Sequence, residues 1–248
     1  MENRKIKAVV LAAGKGTRMQ TEGCEAPKVM RLAAGKPLLS YVLSALDFIA
    51  PEDIVIVVGY KKEQVTQSFP GYTFAEQTQQ LGTGHAVMAA FEVLDGYDGD
   101  LVVCCGDMPL LKRATYARLC EHHRDTGAAC TALSGTSDVY LPYGRILRDG
   151  EGRFLRVVED RDCTAEQKEI TELNSGVYVF DAQKLKEMLS RLGRDNAQGE
   201  YYLTDVPELM LQRGLKVDVC CQQLGMQIIG VNTPEQLNTV EEIINSEK

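Results

Sequence analysis

The segment Ile6–Leu11, IKAVVL, runs directly into Ala12-Ala13-Gly14-Lys15-Gly16-Thr17-Arg18-Met19, and this junction decides the fold. The mostly apolar run has the length and composition of one buried strand. The small residues and glycines that follow it let backbone amides approach a phosphate closely. A strand that ends in such a loop is typical of α/β proteins that bind nucleotides.

Two known nucleotide-binding loops can be compared with this stretch. The pattern GxxxxGK[ST] of the P-loop is absent from it. The dinucleotide fingerprint GxGxxG would begin at Gly14 and Gly16, but Met19 stands where its third glycine belongs. A Rossmann-type dehydrogenase is therefore disfavoured. Arg18 instead puts a fixed cation at the end of the loop, which suits a ligand with several phosphate charges.

Outward from this junction, apolar runs of strand length alternate with helical periodicity. Further strands are predicted over 54–58, 101–105, 128–133, 143–147, 154–158 and 175–180, with 143–147 and 154–158 paired as a hairpin. Helices are predicted from Leu38 onward, over 84–94 with Thr83 as the N-cap, and over 112–126, 182–192, 205–212 and 234–246. The pattern predicts an α/β fold, with a Rossmann-like, mostly parallel twisted sheet flanked by helices.

Composition restricts the partners of the protein. A net charge of -8 leaves no excess of basic residues for bulk nucleic-acid binding. No apolar run approaches the ~18 residues of a membrane span, and the charged start has no signal-peptide pattern, so we expect a cytoplasmic protein with neither partner. The eight cysteines form no CxxC pair and the three histidines are scattered, which favours reduced structural thiols over a zinc site.

The loop, together with Pro27-Lys28-Val29, resembles the signature of the sugar-nucleotide pyrophosphorylases. Within that family the chain is most similar to the uridyltransferase domain of the bacterial N-acetylglucosamine-1-phosphate uridyltransferases. The similarity continues in family order through QTQQLGTGHA (77–86), GDMPL (106–110), YGRI (143–146), VE (158–159), ELNSG (172–176), NAQGEYYLTD (196–205) and GVN (230–232). These blocks span almost the whole chain.

The resemblance implies a magnesium-dependent enzyme that joins UTP to N-acetylglucosamine 1-phosphate and releases pyrophosphate. It implies one domain over 1–248, with a nucleotide-binding half at about 1–135, a smaller sugar-binding lobe at about 136–232 and a C-terminal helix over 234–246. A phosphomonoester with a second pKa near ~6 is already mostly a dianion at neutral pH. Catalysis should therefore depend on cations and positioning rather than on a general base.

The resemblance also assigns roles to individual residues. The catalytic cations would be Arg18 and Lys28, with Lys15 a lesser candidate, and Mg²⁺ would be held by Asp107 and Asn232. The nucleotide would contact Leu11, Ala12, Ala13, Gly14, Gln77, Gln80, Gly82, Thr83, Cys105 and Gly106. The sugar would contact Gly144, Glu159, Asn174, Tyr202 and Thr204. Two structural readings remain open here, because Glu159 with Asp160 and Asp162 also fits a solvated charge run, and Asn232 also fits a helix start.

The chain departs from the family in three places. The segment between Arg18 and Lys28 is longer than usual, and Cys105 stands where the subfamily commonly has Tyr. The family's C-terminal left-handed β-helix, which carries acetyltransferase activity, is absent from these residues, so we expect no acetyl transfer. Another nucleotide or sugar 1-phosphate, with thymidylyl or cytidylyl transfer, remains open. A non-catalytic regulatory subunit is disfavoured because Arg18, Lys28 and Asp107 are all present, and nothing specifies the oligomeric state.

Overall fold

The computed structural model describes residues 4–19, 26–137 and 140–247, with Arg18 described by its backbone alone. The strands are β1 (Ile6–Leu11), β2 (Leu32–Ala33), β3 (Lys36–Pro37), β4 (Ile54–Val58), β5 (Thr73–Glu76), β6 (Asp100–Cys105), β7 (Cys130–Thr136), β8 (Arg145–Arg148), β9 (Phe154–Val158), β10 (Glu172–Asp181) and β11 (Val217–Gln222). The α-helices are α1 (Leu38–Ala45), α2 (Lys62–Ser68), α3 (Thr83–Ala90), α4 (Arg113–Thr126), α5 (Ala165–Lys168), α6 (Ala182–Leu189), α7 (Val206–Gln212) and α8 (Pro234–Ser246).

Nine strands of the described part form one sheet, whose main path is β11-β7-β10-β6-β1-β4-β5. Strand β1 pairs in parallel with both β4 and β6, and β4 pairs in parallel with β5. Strand β10 runs antiparallel to its neighbours β6 and β7. The β8–β9 hairpin branches from β10. This mixed, mostly parallel sheet with flanking helices confirms the predicted fold class.

Helices cover both faces of the sheet, and alternate residues of the central strands pack into different layers. Val9 of β1 packs with α3, α6 and α7 residues on one face, whereas Ala8 and Val10 pack with α1 and α4 residues on the other. Strands that are buried on both faces need apolar side chains at nearly every position. For this reason β1, β4 and β6 read as continuous apolar runs in the sequence.

Two helices, α3 and α1, have boundaries that differ from the predicted ones. The prediction of Thr83 as an N-cap was wrong, because α3 begins at Thr83 and its N-cap is Gly82. The Thr83 hydroxyl instead accepts a hydrogen bond of 3.0 Å from the backbone N–H of Leu203. The same helix ends at Ala90 rather than at residue 94. Helix α1 ends at Ala45, although the buried stripe continues through Leu46 and Ile49.

Several short or peripheral elements were absent from the prediction. They are the edge strands β5 and β11, helix α2, helix α5 and the small β2–β3 ribbon. An edge strand is buried on fewer sides, so its residues lack the uniform apolar run of a central strand. Strand β11, VDVCCQ, is fully buried at only two of its positions, Val219 and Cys220.

The cysteines of the described part are free thiols, and Cys104, Cys120, Cys130 and Cys220 are buried. Burial raises the pKa of the Cys104 thiol to about 12, so this group stays protonated and packs as a small apolar side chain. Cys24 lies outside the described residues. Among the helices that the structure describes, none is long and apolar enough to cross a membrane.

Candidate active site

The loop that follows β1 starts at the carboxyl edge of the sheet and is hydrogen-bonded to the strands on either side. The backbone N–H of Ala12 donates to Val57 O at 2.9 Å, and the N–H of Gly106 donates to Leu11 O at 2.9 Å. The ends of β1, β4 and β6 are thereby held in register. Ligands of open α/β sheets bind at this edge.

The two glycines of the loop serve different purposes. A Cβ at Gly14 would meet nothing within 4 Å, so its backbone faces open space that a ligand can enter. Gly16 has φ +63, and a Cβ there would lie 2.7 Å from the Cβ of Lys28. Gly16 therefore lets the loop pack directly against the segment that carries Lys28.

Lys28 joins two residues that are distant in sequence. Its ammonium group donates one hydrogen bond to Asp107 Oδ2 and a second, of 2.9 Å, to Asn232 Oδ1. Asp107 directly follows β6 and the turn residue Gly106, whereas Asn232 precedes α8. The side chains of Lys28 and Asp107 are 18% and 13% exposed, so this ion pair is only partly screened by water. The structure brings together three of the predicted catalytic and metal-binding residues.

Asn232 is adjacent to a helix start without capping it. The N-cap of α8 is Thr233, whose hydroxyl accepts from the N–H of Gln236, while the Gln236 side chain accepts from the N–H of Thr233. This capping box satisfies the first turn of α8. The Asn232 side chain takes no part in this cap, and its Oδ1 accepts from Lys28 instead.

The oxygens around Lys28 fit a divalent cation. Asp107 Oδ2 and Asn232 Oδ1 both point at one ammonium group, so carboxylate and amide oxygens converge on a position that holds positive charge. Mg²⁺ prefers oxygen ligands and commonly takes one or two from the protein, with phosphates and water as the rest. No group of three or more His, Cys, Asp or Glu side chains arranged for a metal occurs in the described ranges. A phosphate-sharing Mg²⁺ site therefore fits these residues better than an all-protein site.

A groove opens beside the loop, and we call it the loop groove. It is lined by Leu11, Ala12, Ala13, Gly14, Lys28, Val29, Gln77, Gln80, Gly82, Thr83, Ala86, Cys105, Asp107 and Glu200. All predicted nucleotide-binding residues except Gly106 are in this set. Gly106 is next to two lining residues, because a Cβ added to it would lie 3.1 Å from Val29 Cγ1 and 3.3 Å from Leu11 O.

The far wall of the loop groove is built from two predicted blocks that hydrogen-bond to each other. Tyr201 N–H donates to Leu81 O, and Gly84 N–H donates to Tyr201 O, each at 2.8 Å. Gly82 has φ +106, and a Cβ there would lie 2.6 Å from Tyr201 O. Gln77 is buried, and its Nε2 donates to Gly82 O at 3.0 Å. These contacts give the 77–84 segment a single backbone path.

A second recess lies beside the residues that precede and follow the β8–β9 hairpin, and we call it the hairpin pocket. It is lined by Leu11, Thr83, Cys105, Asp107, Met108, Pro142, Tyr143, Gly144, Glu159, Asn174, Ser175, Gly176, Tyr178, Leu203, Thr204, Gly230 and Asn232. Four of the five residues predicted for the sugar, Gly144, Glu159, Asn174 and Thr204, line it. Tyr202 is not in this set, and its hydroxyl contacts Gln198 Nε2 at 3.0 Å and Asp162 Oδ2 at 3.4 Å.

The acidic residues near the hairpin pocket make specific contacts. Glu159 Oε1 accepts a hydrogen bond of 3.0 Å from the Thr204 hydroxyl. Burial raises the pKa of the Glu159 carboxyl, and the Thr204 hydrogen bond opposes that rise. Asp162 accepts from the backbone N–H of Ala197 at 2.9 Å. Glu159 is therefore held within the fold, whereas Asp162 is exposed and still fits a solvated charge run.

Arg145 is buried behind the hairpin pocket and stabilises its rim. Its guanidinium donates to Leu141 O at 3.1 Å and to Tyr143 O, and it lies 3.5 Å from Asp160. The Tyr143 hydroxyl in turn accepts from the N–H of Gly230 at 2.8 Å. The hairpin is thereby connected to the segment that ends in Asn232.

The loop groove and the hairpin pocket share Leu11, Thr83, Cys105 and Asp107. Two ligands could therefore lie side by side with their reacting groups at Asp107, next to the Lys28 ammonium. Sequence reasoning missed Glu200, Tyr143 and Tyr178 as lining residues. Glu200 and Tyr143 belong to motif blocks that were quoted, but Tyr178 lies in an apolar strand whose pattern contains no signal for a site.

Two predicted cations remain outside this geometry. The side chain of Arg18 lies outside the described residues, so its role stays a prediction. The Nζ of Lys15 lies 5.9 Å from the centre of the Tyr60 ring, a cation–π distance. Lys15 is exposed and lies against this ring.

Comparison with known proteins gives a consistent pattern. The family described as "MobA-like NTP transferase domain" matches residues 8–173. The chain is 40% identical to the "Bifunctional protein GlmU" of Pelotomaculum thermopropionicum over 96% of its own length and 52% of that protein. It is 42% identical to the protein of the same name from Carboxydothermus hydrogenoformans, over 94% of this chain and 51% of the relative. The chain thus spans about half the length of the curated relatives it matches.

Proposed function

Because this chain belongs to the family of MobA-like NTP transferase domains, we propose that it is a nucleotidyltransferase that converts UTP and N-acetylglucosamine 1-phosphate into UDP-N-acetylglucosamine and pyrophosphate. The choice of UTP and of this sugar rests on the resemblance of the QTQQLGTGHA and NAQGEYYLTD blocks to the uridyltransferases. The proposal concerns uridylyl transfer alone.

One observation carries the proposal. The loop groove and the hairpin pocket meet at Asp107, beside the ammonium of Lys28 and the side chain of Asn232. A reaction that joins two phosphorylated molecules needs two adjoining recesses with positive charge between them. A triphosphate in the loop groove would present its α-phosphate there, and a sugar 1-phosphate in the hairpin pocket would present its phosphate oxygen.

In the proposed reaction an oxygen of the sugar phosphate attacks the α-phosphorus of UTP. A new P–O bond forms, the bond from the α-phosphorus to the oxygen bridging it to the β-phosphorus breaks, and pyrophosphate leaves with that electron pair. No proton has to be removed from the nucleophile, because a phosphomonoester is mostly a dianion at neutral pH. Lys28 would follow the charge at the α-phosphate, and Arg18 would hold the leaving pyrophosphate.

Asp107 and Asn232 would hold Mg²⁺ through Oδ2 and Oδ1. Bound there, the ion would neutralise part of the triphosphate charge and keep the phosphates aligned. Lys28 currently hydrogen-bonds to the same two oxygens. Its ammonium would then turn from them into the loop groove, which Lys28 lines.

The remaining assignments follow the two recesses. Gln77, Gly82 and Thr83 would contact the base from the far wall of the loop groove, since a side-chain amide can donate to and accept from an imide edge. Glu159, Asn174 and Thr204 would bind hydroxyl and acetamido groups in the hairpin pocket. We propose that the enzyme acts in the cytoplasm and that its partners are small molecules.

A substrate panel tests the proposal. Pyrophosphate release is measured with UTP, dTTP, CTP and ATP, each paired with N-acetylglucosamine 1-phosphate, glucose 1-phosphate and N-acetylgalactosamine 1-phosphate, and products are identified by mass. The UTP and N-acetylglucosamine 1-phosphate pair should have the highest kcat/KM. A higher value for another pair would keep the reaction class and change the substrates. No pyrophosphate release with any pair, with Mg²⁺ present, would reject the proposal.

A further inference from the structure

Two polar atoms in the hairpin pocket are buried without completing a hydrogen bond of normal geometry. They are the Tyr178 hydroxyl and Asn174 Oδ1, and neither has such a partner among the described residues. Tyr178 is 1% exposed and Asn174 is 6% exposed, and both line the pocket. An unsatisfied buried polar atom costs free energy, so each one calls for a partner.

An irregularity of β10 brings these two side chains to the same recess. On β10, Asn174 is opposite Ser134 of β7, and Tyr178 is opposite Ala132. More residues therefore separate Asn174 from Tyr178 on β10 than separate their two partners on β7. Gly176 lies in the middle of this stretch with φ +75, a conformation that glycine adopts without strain. Such bulges shorten and turn a strand, and they commonly re-aim side chains beside functional sites.

The chemistry of the two atoms is complementary. The Tyr178 hydroxyl can donate, and Asn174 Oδ1 can only accept. Burial raises the pKa of Tyr178 well above its usual value, so the phenol keeps its proton, and the Asn174 side chain is near enough to act against this rise through its N–H groups. Turning the Asn174 amide about its Cβ–Cγ bond would exchange Nδ2 for Oδ1 at that place and let the hydroxyl donate to Oδ1. The Asn174 amide would then be fixed with its Nδ2 hydrogens directed into the pocket.

We propose that Tyr178 is a positioning residue for the sugar substrate, which acts by donating to Asn174 Oδ1 and thereby presenting Asn174 Nδ2 to the acetamido carbonyl of the sugar 1-phosphate. The inference rests on the proposed function. It explains a hydroxyl in an otherwise apolar stretch of β10, VYVF over 177–180. Phenylalanine would pack equally well there against Phe180, whose ring is 5.3 Å from that of Tyr178.

The test compares Tyr178→Phe with Tyr116→Phe. Tyr116 is a matched control because it is also fully buried, its hydroxyl also lacks a normal hydrogen bond, and it packs in the core on the other face of the sheet. Tyr178→Phe should raise KM for N-acetylglucosamine 1-phosphate by about five- to tenfold, the size expected for one lost hydrogen bond. The KM for UTP should stay unchanged. Discrimination against glucose 1-phosphate should fall by a similar factor, and Tyr116→Phe should change none of these values.

A double-mutant cycle with Asn174→Ala separates positioning from direct contact. If Tyr178 acts through Asn174, adding Tyr178→Phe to Asn174→Ala should not raise KM for the sugar phosphate further. An equal additional rise would mean that the hydroxyl contacts the sugar itself, and would overturn the proposal. So would a wild-type KM in the single variant, or an equal rise in KM for UTP. An inactive wild-type enzyme would instead contradict the proposed function, and the inference with it.

Discussion

The loop groove and the hairpin pocket share a boundary at Asp107 but are built in different ways. One side of the loop groove is backbone with little side chain, Ala12, Ala13 and Gly14, all from one continuous segment after β1. The hairpin pocket is made by side chains from several separate segments, such as Tyr143, Glu159, Asn174 and Thr204. A phosphate can be held by backbone amides of one loop, whereas a sugar with many hydroxyls needs side chains from several directions.

This difference predicts how each region responds to substitution. The side of the loop groove formed by residues 12–14 should be more sensitive to changes in backbone path than to changes in side-chain chemistry. The hairpin pocket should show the reverse. The junction that both regions share should be the most sensitive of all, because charge stabilisation depends on it.

At the junction, Lys28→Ala and Asp107→Ala should each lower turnover by at least ~100-fold, as expected for the loss of a charge-stabilising group. Their effects on metal binding should be opposite. Mn²⁺ replaces Mg²⁺ in this measurement because it gives an electron paramagnetic resonance signal. Asp107→Ala removes an oxygen ligand and should abolish the binding of Mn²⁺ in the absence of nucleotide. Lys28→Ala frees Asp107 and Asn232 from the ammonium and should raise Mn²⁺ affinity roughly fivefold, about 1 kcal/mol. Free Mn²⁺ is measured by electron paramagnetic resonance.

Two further variants serve as controls for this prediction. Lys62→Ala removes an exposed lysine that pairs with Glu76 and should leave turnover intact. Lys15→Ala removes a positive charge near the loop without touching the proposed metal ligands, so it should raise Mn²⁺ affinity less than Lys28→Ala does. Equal increases would mean that only net charge matters and would contradict direct competition for the two oxygens.

In the loop groove, Gly16→Ala should lower kcat/KM by about tenfold, because small displacements of a catalytic group are costly. The new methyl group would lie 2.7 Å from Lys28 Cβ and would push Lys28 from its place. The matched control is Gly127→Ala, at φ +61 with nothing within 4 Å of the added Cβ. Both variants should lose about 1 kcal/mol of stability from backbone strain, but only Gly16→Ala should lose activity, as measured by thermal unfolding and pyrophosphate release.

In the hairpin pocket, Thr204→Val should raise KM for the sugar phosphate by about threefold at neutral pH. Burial raises the pKa of Glu159, and the Thr204 hydroxyl opposes that rise, so the variant should have a still higher pKa. The ionised carboxylate is the form proposed to accept from sugar hydroxyls. The fall in kcat/KM on acidification should therefore begin at a higher pH in the variant than in wild type.

The control for this pH shift is Thr73→Val. Thr73 lies on the edge strand β5, and its hydroxyl donates a hydrogen bond to the backbone oxygen of Glu52. The dependence of kcat/KM on pH should be the same in Thr73→Val as in wild type, because the substrate phosphate titrates in the same way with both enzymes. Identical profiles for Thr204→Val and wild type between pH 5 and pH 8 would mean that Glu159 does not need to be ionised for sugar binding.

Sequence reasoning worked best where one segment carries both the structure and the chemistry. The loop after β1 and the strand before Asp107 were placed correctly, because each depends on local periodicity and on glycine positions, whereas the first strand of the hairpin begins at Arg145 instead of residue 143. Thr83 was misassigned as an N-cap, because its true partner, the N–H of Leu203, is 120 residues away. Tyr178 was missed because an apolar strand does not disclose which of its members reaches a pocket.

The sequence by itself determined the α/β class and the central strands, since buried strands require particular residue types, whereas Lys28, Asp107 and Asn232 were named from the resemblance to the pyrophosphorylases. Only the tertiary structure decided that Lys28 contacts Asp107 and Asn232 together, that Tyr202 lies outside the lining of the hairpin pocket and that Asn174 and Tyr178 line the same pocket. Those outcomes depend on how the sheet order and the β10 irregularity bring distant segments together. The pattern of residues along the chain indicates which positions are buried, but it does not indicate which distant segment packs against them.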